Sequence, residues 1–371
     1  MLFFIFLFII FLAFLSIKRY KTFFNPFTLS LQYPLLFLTI PQIILVILGD
    51  GEDSLLSDVV ILLYILFLYL GTFFKIPYLK IYSFKNTKII VFCSFVLAVV
   101  IFIPLLPMLL KYGISFRGLR EFYEEVVFSA YASFYEVFKT LLLILIIILF
   151  VWKRKITIVL ICLIFILFFS GSKMAILSTM IILVTMYEEY KRVNYKVLFI
   201  SSILVFVLLL FYHFSQTLQN QNKNIFDTAL SYFDVYRQQT MALELFVSGK
   251  MDYYYGEIAL SSWYKVIPRF IWESKPKDFG FALLNYAIYP EFSSDGYMPS
   301  FGLAYSFADF GFASIIFSGF FAGMLKNYFY RMFYNSKKDV VPFLLYILDF
   351  NIVLCTLFVF YYIISFIKHD T

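Results

Sequence analysis

The sequence predicts an all-α polytopic membrane protein of about ten transmembrane helices, with one large external loop late in the chain. Three observations carry this reading. Hydrophobic residues fill 63% of the 371 positions and charged ones only 14%, which leaves too little polar surface to clothe a soluble domain. The apolar residues fall in blocks near the ~20 residues that cross a bilayer as a helix. One long polar stretch, 214–300, interrupts them.

In chain order the blocks cover 2–17, 31–48, 55–74, 89–110, 127–151, 156–170, 174–187, 195–213, 301–325 and 342–367. Lipid offers no partner to backbone N–H and C=O groups, so each block is expected to be helical. The first block resembles a signal peptide but lacks a basic leading region and a small-residue cleavage site, so it is expected as a retained span. Lys18, Arg19 and Lys21 follow it. The second block runs into Gly49-Asp50-Gly51-Glu52-Asp53-Ser54, with no basic residue, and the third into Lys75, Lys80, Lys85 and Lys88. The fourth leads to the mixed-sign stretch 111–125, and the fifth to Lys153, Arg154 and Lys155. The sixth and seventh are short, and a tilted or re-entrant hairpin around Ser170-Gly171-Ser172-Lys173 is the alternative to two full spans. The seventh ends before Lys191, Arg192 and Lys196, and the ninth before Arg331, Lys337 and Lys338.

Basic residues thus mark the odd-numbered connectors, which belong in the cytoplasm. That places both termini and the large loop outside. The expected organisation is a membrane domain of eight spans over 1–213, the loop over 214–300 and two further spans over 301–371. The net charge of +7 comes from these scattered connector residues and gives no nucleic-acid signal. Cys93, Cys162 and Cys355 lie inside apolar blocks and read as packing residues. No phosphate-binding glycine loop, HExxH or CxxC motif is present in the sequence, which argues against an ATP-driven engine or a zinc hydrolase.

The loop is rich in aromatics and so is expected to be ordered. Phe226, Leu230, Phe233, Tyr236, Met241 and Leu245 recur at helical spacing, predicting an amphipathic helix over 226–246 on the outer surface. Pro268, Pro276, Pro290 and Pro299 make the rest turn-rich.

Several groups of residues have the chemistry of a site. Ser172 and Lys173 sit in a small-residue turn at the start of a helix, where amides and an ammonium suit a phosphate; the plain alternative is a turn with a snorkelling lysine. In Ile267-Pro268-Arg269-Phe270-Ile271-Trp272-Glu273-Ser274-Lys275-Pro276-Lys277, two prolines fix where Arg269 and Lys275 point. Guanidinium and ammonium groups suit a diphosphate. Trp263, Tyr264 and Trp272 offer flat faces to sugar rings, or anchor the loop at the interface. Asp50, Glu52 and Asp53 can bind a divalent ion or act as a base, or simply solvate the outer end. Glu136 with Lys139, Asp309 and Asp349 are ionisable groups inside apolar blocks, the kind that transporters use as proton relays. His213 and His369 lie near span ends.

These motifs resemble those of the Wzy-type O-antigen and capsular repeat-unit polymerases. Phe169-Ser170-Gly171-Ser172-Lys173 resembles that family's small-residue basic turn. Gly256, Ile267-Pro268-Arg269, Trp272 and Lys275-Pro276 resemble the Pro-Arg…Trp…Lys-Pro signature of its external loop. Pro299-Ser300-Phe301-Gly302, Tyr305, Phe310-Gly311-Phe312, Gly319 and Gly323 are similar to its glycine-rich return into the membrane. Lys173 stands where many members carry Arg.

The resemblance implies a metal-independent, GT-C-like glycosyltransferase needing no cofactor. It would transfer a growing glycan from undecaprenyl diphosphate to the next lipid-linked repeat unit at the outer face of the bacterial cytoplasmic membrane. Its partners would be those lipid-linked oligosaccharides, membrane lipid, a chain-length regulator and a repeat-unit flippase. Leaving diphosphate must be met by cations, a role for Arg269, Lys275 and Lys173 with Ser172, and Arg237 behind them. An acceptor hydroxyl must lose a proton; Glu257, Glu291, Asp295 and His213 are the candidates. Tyr253, Tyr254, Tyr255, Trp263 and Trp272 would line the sugar cleft. An O-antigen ligase or related polyprenyl-dependent transferase, and a flippase or transporter for the lipid-linked oligosaccharide, are the alternatives. The absence of any internal duplication and the single one-sided loop favour an enzyme.

Overall fold

A computed structural model describes residues 1–77, 87–112, 235–267, 271–276, 278–290, 300–336 and 340–347, with isolated helical positions at Phe122, Glu125, Tyr135, Phe138, Val184, Thr185, Glu188 and Glu189. Among the described residues the regular structure is helical, with no strand. Two helices there, Leu2–Tyr20 and Phe95–Tyr112, are long and apolar enough to cross a membrane, and Pro34–Leu48 and Leu55–Gly71 are shorter apolar helices. The expected blocks 127–151, 156–170, 174–187 and 195–213 lie outside the described residues apart from isolated positions, as does 342–367 beyond Ile347. The chain divides into two compact units.

The first unit comprises Met1–Tyr78, His213–Tyr264 and Pro276–Arg331. Helix α1 (Leu2–Tyr20) buries Leu2, Ile5, Ile9, Leu12 and Ser16, spaced three and four apart on one face. Its other face exposes Phe3, Phe4, Leu7, Ile10, Phe11 and Phe14, a continuous apolar surface that suits acyl chains rather than water. Asn25 then caps α2 (Pro26–Ser30): its Oδ1 accepts from the N–H of Phe27 and Thr28, and Pro26 begins the helix without needing a donor. Ser16 adds a bond to the same oxygen at 2.6 Å. Proline at 34 and 41 removes two donors from the next ladder, and Pro34–Thr39 winds as a π turn before α3 (Ile40–Leu48). Ser54 caps α4 (Leu55–Gly71) by accepting from Ser57 N–H.

The return from the loop departs from the single expected span over 301–325. A short helix, here α10 (Ala304–Phe310), stops at Gly311, and a second, α11 (Phe312–Asn335), continues ten residues past the expected end. Apolarity located this span, but Asn327 and Arg331 in its last turns are held by backbone carbonyls, so polar residues continue the helix. A Cβ at Gly319 or Gly323 would collide with the backbone of Tyr64 and Leu68 on α4, and one at Gly71 with the backbone of Phe320. The small-xxx-small spacing therefore lets α4 and α11 touch backbone to backbone, the usual way apolar helices gain packing in lipid.

At one end of this unit the carbonyls of the segment that follows α4 are gathered by side chains. Tyr20 Oη donates to Thr72 O at 3.1 Å and lies 3.0 Å from Asn327 Oδ1. Asn327 Nδ2 donates to Phe74 O and Arg331 Nη1 to Ile76 O, both at 3.1 Å. Arg19 stacks its guanidinium 3.9 Å over Phe73. The carbonyls just past the C-terminus of α4 are thus answered by neutral donors from Tyr20 and Asn327 and by the guanidinium groups of Arg19 and Arg331. The C-termini of α1 and α4 share this end, with Asn327 and Arg331 of α11 beside them.

The second unit comprises Leu79–Tyr212, Lys265–Lys275 and Met332–Thr371. In it α5 (Thr87–Phe102) passes through a 3₁₀ turn at Ile103–Leu105 into α6 (Leu106–Tyr112). Ala98, Leu105, Leu109, Phe122, Tyr135 and Phe138 form its buried cluster. Tyr334 donates to the Glu189 carboxylate at 2.6 Å, and α12 (Val340–Ile347) packs Phe343 on Phe333 at 5.0 Å.

Candidate functional site

Residues 235–264 and 278–290, from the stretch expected as an external loop, fold onto the opposite end of the first unit, around connector 49–54. Its first described helix, α7 (Val235–Val247), buries Val235, Tyr236, Gln239, Thr240, Ala242, Leu243 and Phe246 and packs against α4, the π turn and α10. This corrects the expectation of a helix lying on the outer surface. The buried face is also turned from the expected one, since Met241 and Leu245 are only half-buried. Gln239 and Thr240 point inward because each finds a polar partner, which a count of apolar residues cannot see.

Those partners bind the loop to the membrane helices. Tyr236 Oη donates to Asp58 Oδ1 at 2.7 Å and accepts from Ser54 N–H at 3.2 Å. Burial, and then the Asp58 carboxylate it hydrogen-bonds, raise the Tyr236 pKa far above the ordinary tyrosine value. Ser57 and Thr240 share a buried 2.7 Å hydrogen bond. Gln239 Oε1 accepts from Leu303 N–H at 2.9 Å, and Tyr289 Oη donates to Gln238 Oε1 at 2.9 Å. Arg237 meets Glu52 at 3.0 Å with both side chains open to solvent, 63% and 48% exposed. The cation expected behind the diphosphate site is therefore paired with the acidic connector.

After α7 the chain makes a sharp turn at Tyr255 and Gly256, which have φ of 50° and 93°. Only glycine enters that region freely, so a tyrosine there is held by its surroundings. The holding group is Asp309. Its Oδ1 accepts from the N–H of Gly256 at 3.1 Å and of Ile258 at 3.0 Å, and its Oδ2 from Ala259 N–H at 3.0 Å. Tyr254 N–H and Tyr255 N–H donate in turn to the carbonyls of Ala308 and Asp309 at 2.9 and 3.0 Å. Five hydrogen bonds thus seat the start of α8 (Glu257–Ser261) on the end of α10. This corrects the reading of Asp309 as a relay group, because its buried carboxylate is occupied by main-chain donors.

The seated turn displays Tyr255, 73% exposed, and beyond it Trp263, 54% exposed, in the 3₁₀ turn that follows α8. Glu257 opens α8 and is exposed; its charge adds to burial in raising the Tyr254 pKa. Helix α9 (Phe281–Ile288) braces the same group: Gly280 N–H donates to Ser261 Oγ at 2.7 Å, and Tyr305 Oη to Asn285 Oδ1 at 2.7 Å.

In the second unit, Lys275 is 7% exposed and its Nζ donates to Ile267 O at 3.0 Å. That bond closes the segment 267–275 on itself, and Trp272 Nε1 donates to Ser274 Oγ at 3.0 Å within it. Arg269, Ser172, Lys173, His213, Glu291, Asp295, Glu136, Lys139, Asp349 and His369 lie outside the described residues. Among the described residues no group of three acidic, histidine or cysteine side chains converges to hold a metal.

Sequence reasoning passed over Asp58, Gln239 and Asn285. Asp58 carried a usable signal, as an ionisable residue inside an apolar block. Gln239 and Asn285 carried none, since their partners come from segments distant in the chain.

Helices with lipid-suited faces, bound at one end by the polar segments that carry α7, α8 and α9, fit an all-α membrane protein. Two relatives identify more. Proteins named O-antigen polymerase from Salmonella typhimurium (strain LT2) and from Salmonella typhi are each 29% identical to this chain over 265 residues, covering 68% of it. The similar region covers 63% of each relative, short of two thirds of their length. The likeness read from short motifs thus extends over most of this chain. No family model matches the chain, and no solved structure matches it.

Proposed function

We propose that this chain polymerises lipid-linked oligosaccharide repeat units into O-antigen or a related surface polysaccharide. It would be a glycosyltransferase acting at the outer face of the cytoplasmic membrane. The observation that carries the reading is the 29% identity over 265 residues to proteins named O-antigen polymerase. The loop supports it, being ordered against the helix ends around the acidic connector, opposite the basic one.

On this reading about ten spans, over 1–213 and 301–371, flank the external loop, with both termini outside. The donor is a glycan on undecaprenyl diphosphate and the acceptor the next lipid-linked unit, in a GT-C-like reaction without metal. Arg269 meets the negative charge that develops on the leaving diphosphate, joined by Lys275, which donates to Ile267 O. Lys173 and Ser172 hold a phosphate at the other small-residue turn. Glu257 takes the proton of the attacking hydroxyl, with His213 and Asp295 as the other candidates. Tyr255, Trp263 and Trp272 present ring faces to the sugars, and Arg237 with Glu52 supplies polar contacts nearby. A chain-length regulator and a repeat-unit flippase act alongside.

The test is complementation of a strain lacking its own polymerase but making the matching repeat unit. The full chain should convert single-unit glycans into a ladder of lengths at the cell surface. Repeat units trapped on the cytoplasmic side until the chain is supplied would instead mean a flippase.

A further inference from the structure

The geometry points to Asp309 as a positioning residue for the transferase reaction. Its carboxylate clamps the Tyr254–Ala259 turn and so fixes where the Glu257 carboxylate and the Tyr255 ring stand. The inference rests on the polymerase reading for its effect on turnover.

Three features single this clamp out. Asp309 is buried, yet both its oxygens are taken by three main-chain N–H groups within 3.1 Å. Such charge-assisted bonds are stronger and more directional than neutral ones. The turn they hold is one the chain would not adopt alone, with Tyr255 and Gly256 both at positive φ, so release of the clamp lets it relax. Finally, the held residues face outward: Tyr255 and Glu257 are exposed while Gly256 and Ile258 between and beside them are buried. A group that takes a proton must sit within hydrogen-bond reach of it, and small displacements of such groups are costly to rate. Asp309 is buried with both oxygens engaged by the main chain, so its action is through Glu257 and Tyr255.

Asp309→Asn is the discriminating variant. It keeps the size and one carbonyl acceptor for Gly256 and Ile258, but opposes an NH₂ to the Ala259 N–H. With purified full-length protein and lipid-linked repeat units, turnover per molecule should fall at least tenfold. The apparent KM for the lipid-linked unit should stay within threefold, because the diphosphate is gripped by other residues. Trypsin cleavage after the exposed Lys250, read by mass spectrometry, should speed at least threefold as the turn loosens. Gly256→Ala should reproduce all three effects without touching the carboxylate, since its Cβ would press on the Phe310 ring at 3.3 Å with φ at +93°; it decides the matter if Asp309→Asn fails to fold. Turnover within twofold of wild type in both variants, or a fall with unchanged cleavage, overturns the proposal. If wild-type protein makes no polymer, the polymerase reading fails on its own, and the positioning role falls with it even where cleavage still reports a structural clamp.

Discussion

Tyr236 donates its phenolic proton to Asp58 at 2.7 Å, joining the first turn of α4 to α7. Both side chains are buried, at 1% exposure, so the bond holds a carboxylate that has lost its water. Tyr236→Phe leaves that carboxylate with one donor fewer and should cost about 1–3 kcal/mol. The drop should appear as a lower Tm of the detergent-solubilised protein. An unchanged Tm would show that the loop is held elsewhere.

The same bond gives a pH signature. The Tyr236 pKa is raised above its ordinary 10.0 in the folded protein, so the folded state binds the phenolic proton more tightly than the unfolded chain does. Its contribution is therefore fully present below pH 10 and is lost as pH rises above 10 toward the folded value. Between pH 9 and 11 the Tm of wild type should fall more steeply than that of Tyr236→Phe. Parallel curves would contradict the assignment.

Gly319 and Gly323 let α11 lie backbone to backbone on α4. Valine at either position forces the helices apart, an overpacking cost of about 1–3 kcal/mol. The expected outcome is a marked loss of folded protein in membranes, measured by fluorescence-detected size exclusion. Alanine should already cause part of this loss, because its Cβ alone meets the α4 backbone; wild-type levels in both alanine variants would argue against close approach as the cause.

Arg269→Ala should abolish long glycan while single units still reach the surface, read on a lipopolysaccharide gel. Arg269→Lys should restore only part of it, because an ammonium cannot grip two phosphate oxygens as a guanidinium fork does. Lys275→Ala should also remove polymer, but with some loss of protein, since Lys275 closes its own segment onto Ile267 O.

Arg237 and Glu52 form an exposed pair, and exposed pairs contribute about 0–1 kcal/mol. Arg237→Ala should leave Tm within a degree or two, so any loss of polymer from it reports a role in the reaction. A large drop in Tm would place the pair in the structural frame instead.

The apolar helices were readable because apolarity alone specifies them: α1, the 34–48 helix, α4 and the run from α5 to α6 lie close to the expected blocks. Arg19 and Arg331 stood out as connector residues, but their bonds to Thr72 O and Ile76 O, just past α4, depend on tertiary contacts that the sequence does not display. The break at Gly311 was hidden because the residues on both sides are equally apolar. The inward face of α7 was misjudged because the side-chain oxygens of Gln239 and Thr240 find partners in Leu303 and Ser57, far away in the chain. Asp309 drew notice as a buried charge, but its role depends on main-chain N–H groups, which have no residue signature. The exposed aromatics Tyr255 and Trp263 were legible as residue types, while the turn that presents them was not.

The central claim is best tested with purified full-length protein given undecaprenyl-diphosphate-linked repeat units in the presence of a metal chelator. The account predicts products that lengthen in whole repeat units, with free undecaprenyl diphosphate released for each linkage formed. Units that cross a vesicle bilayer without ever lengthening would contradict it.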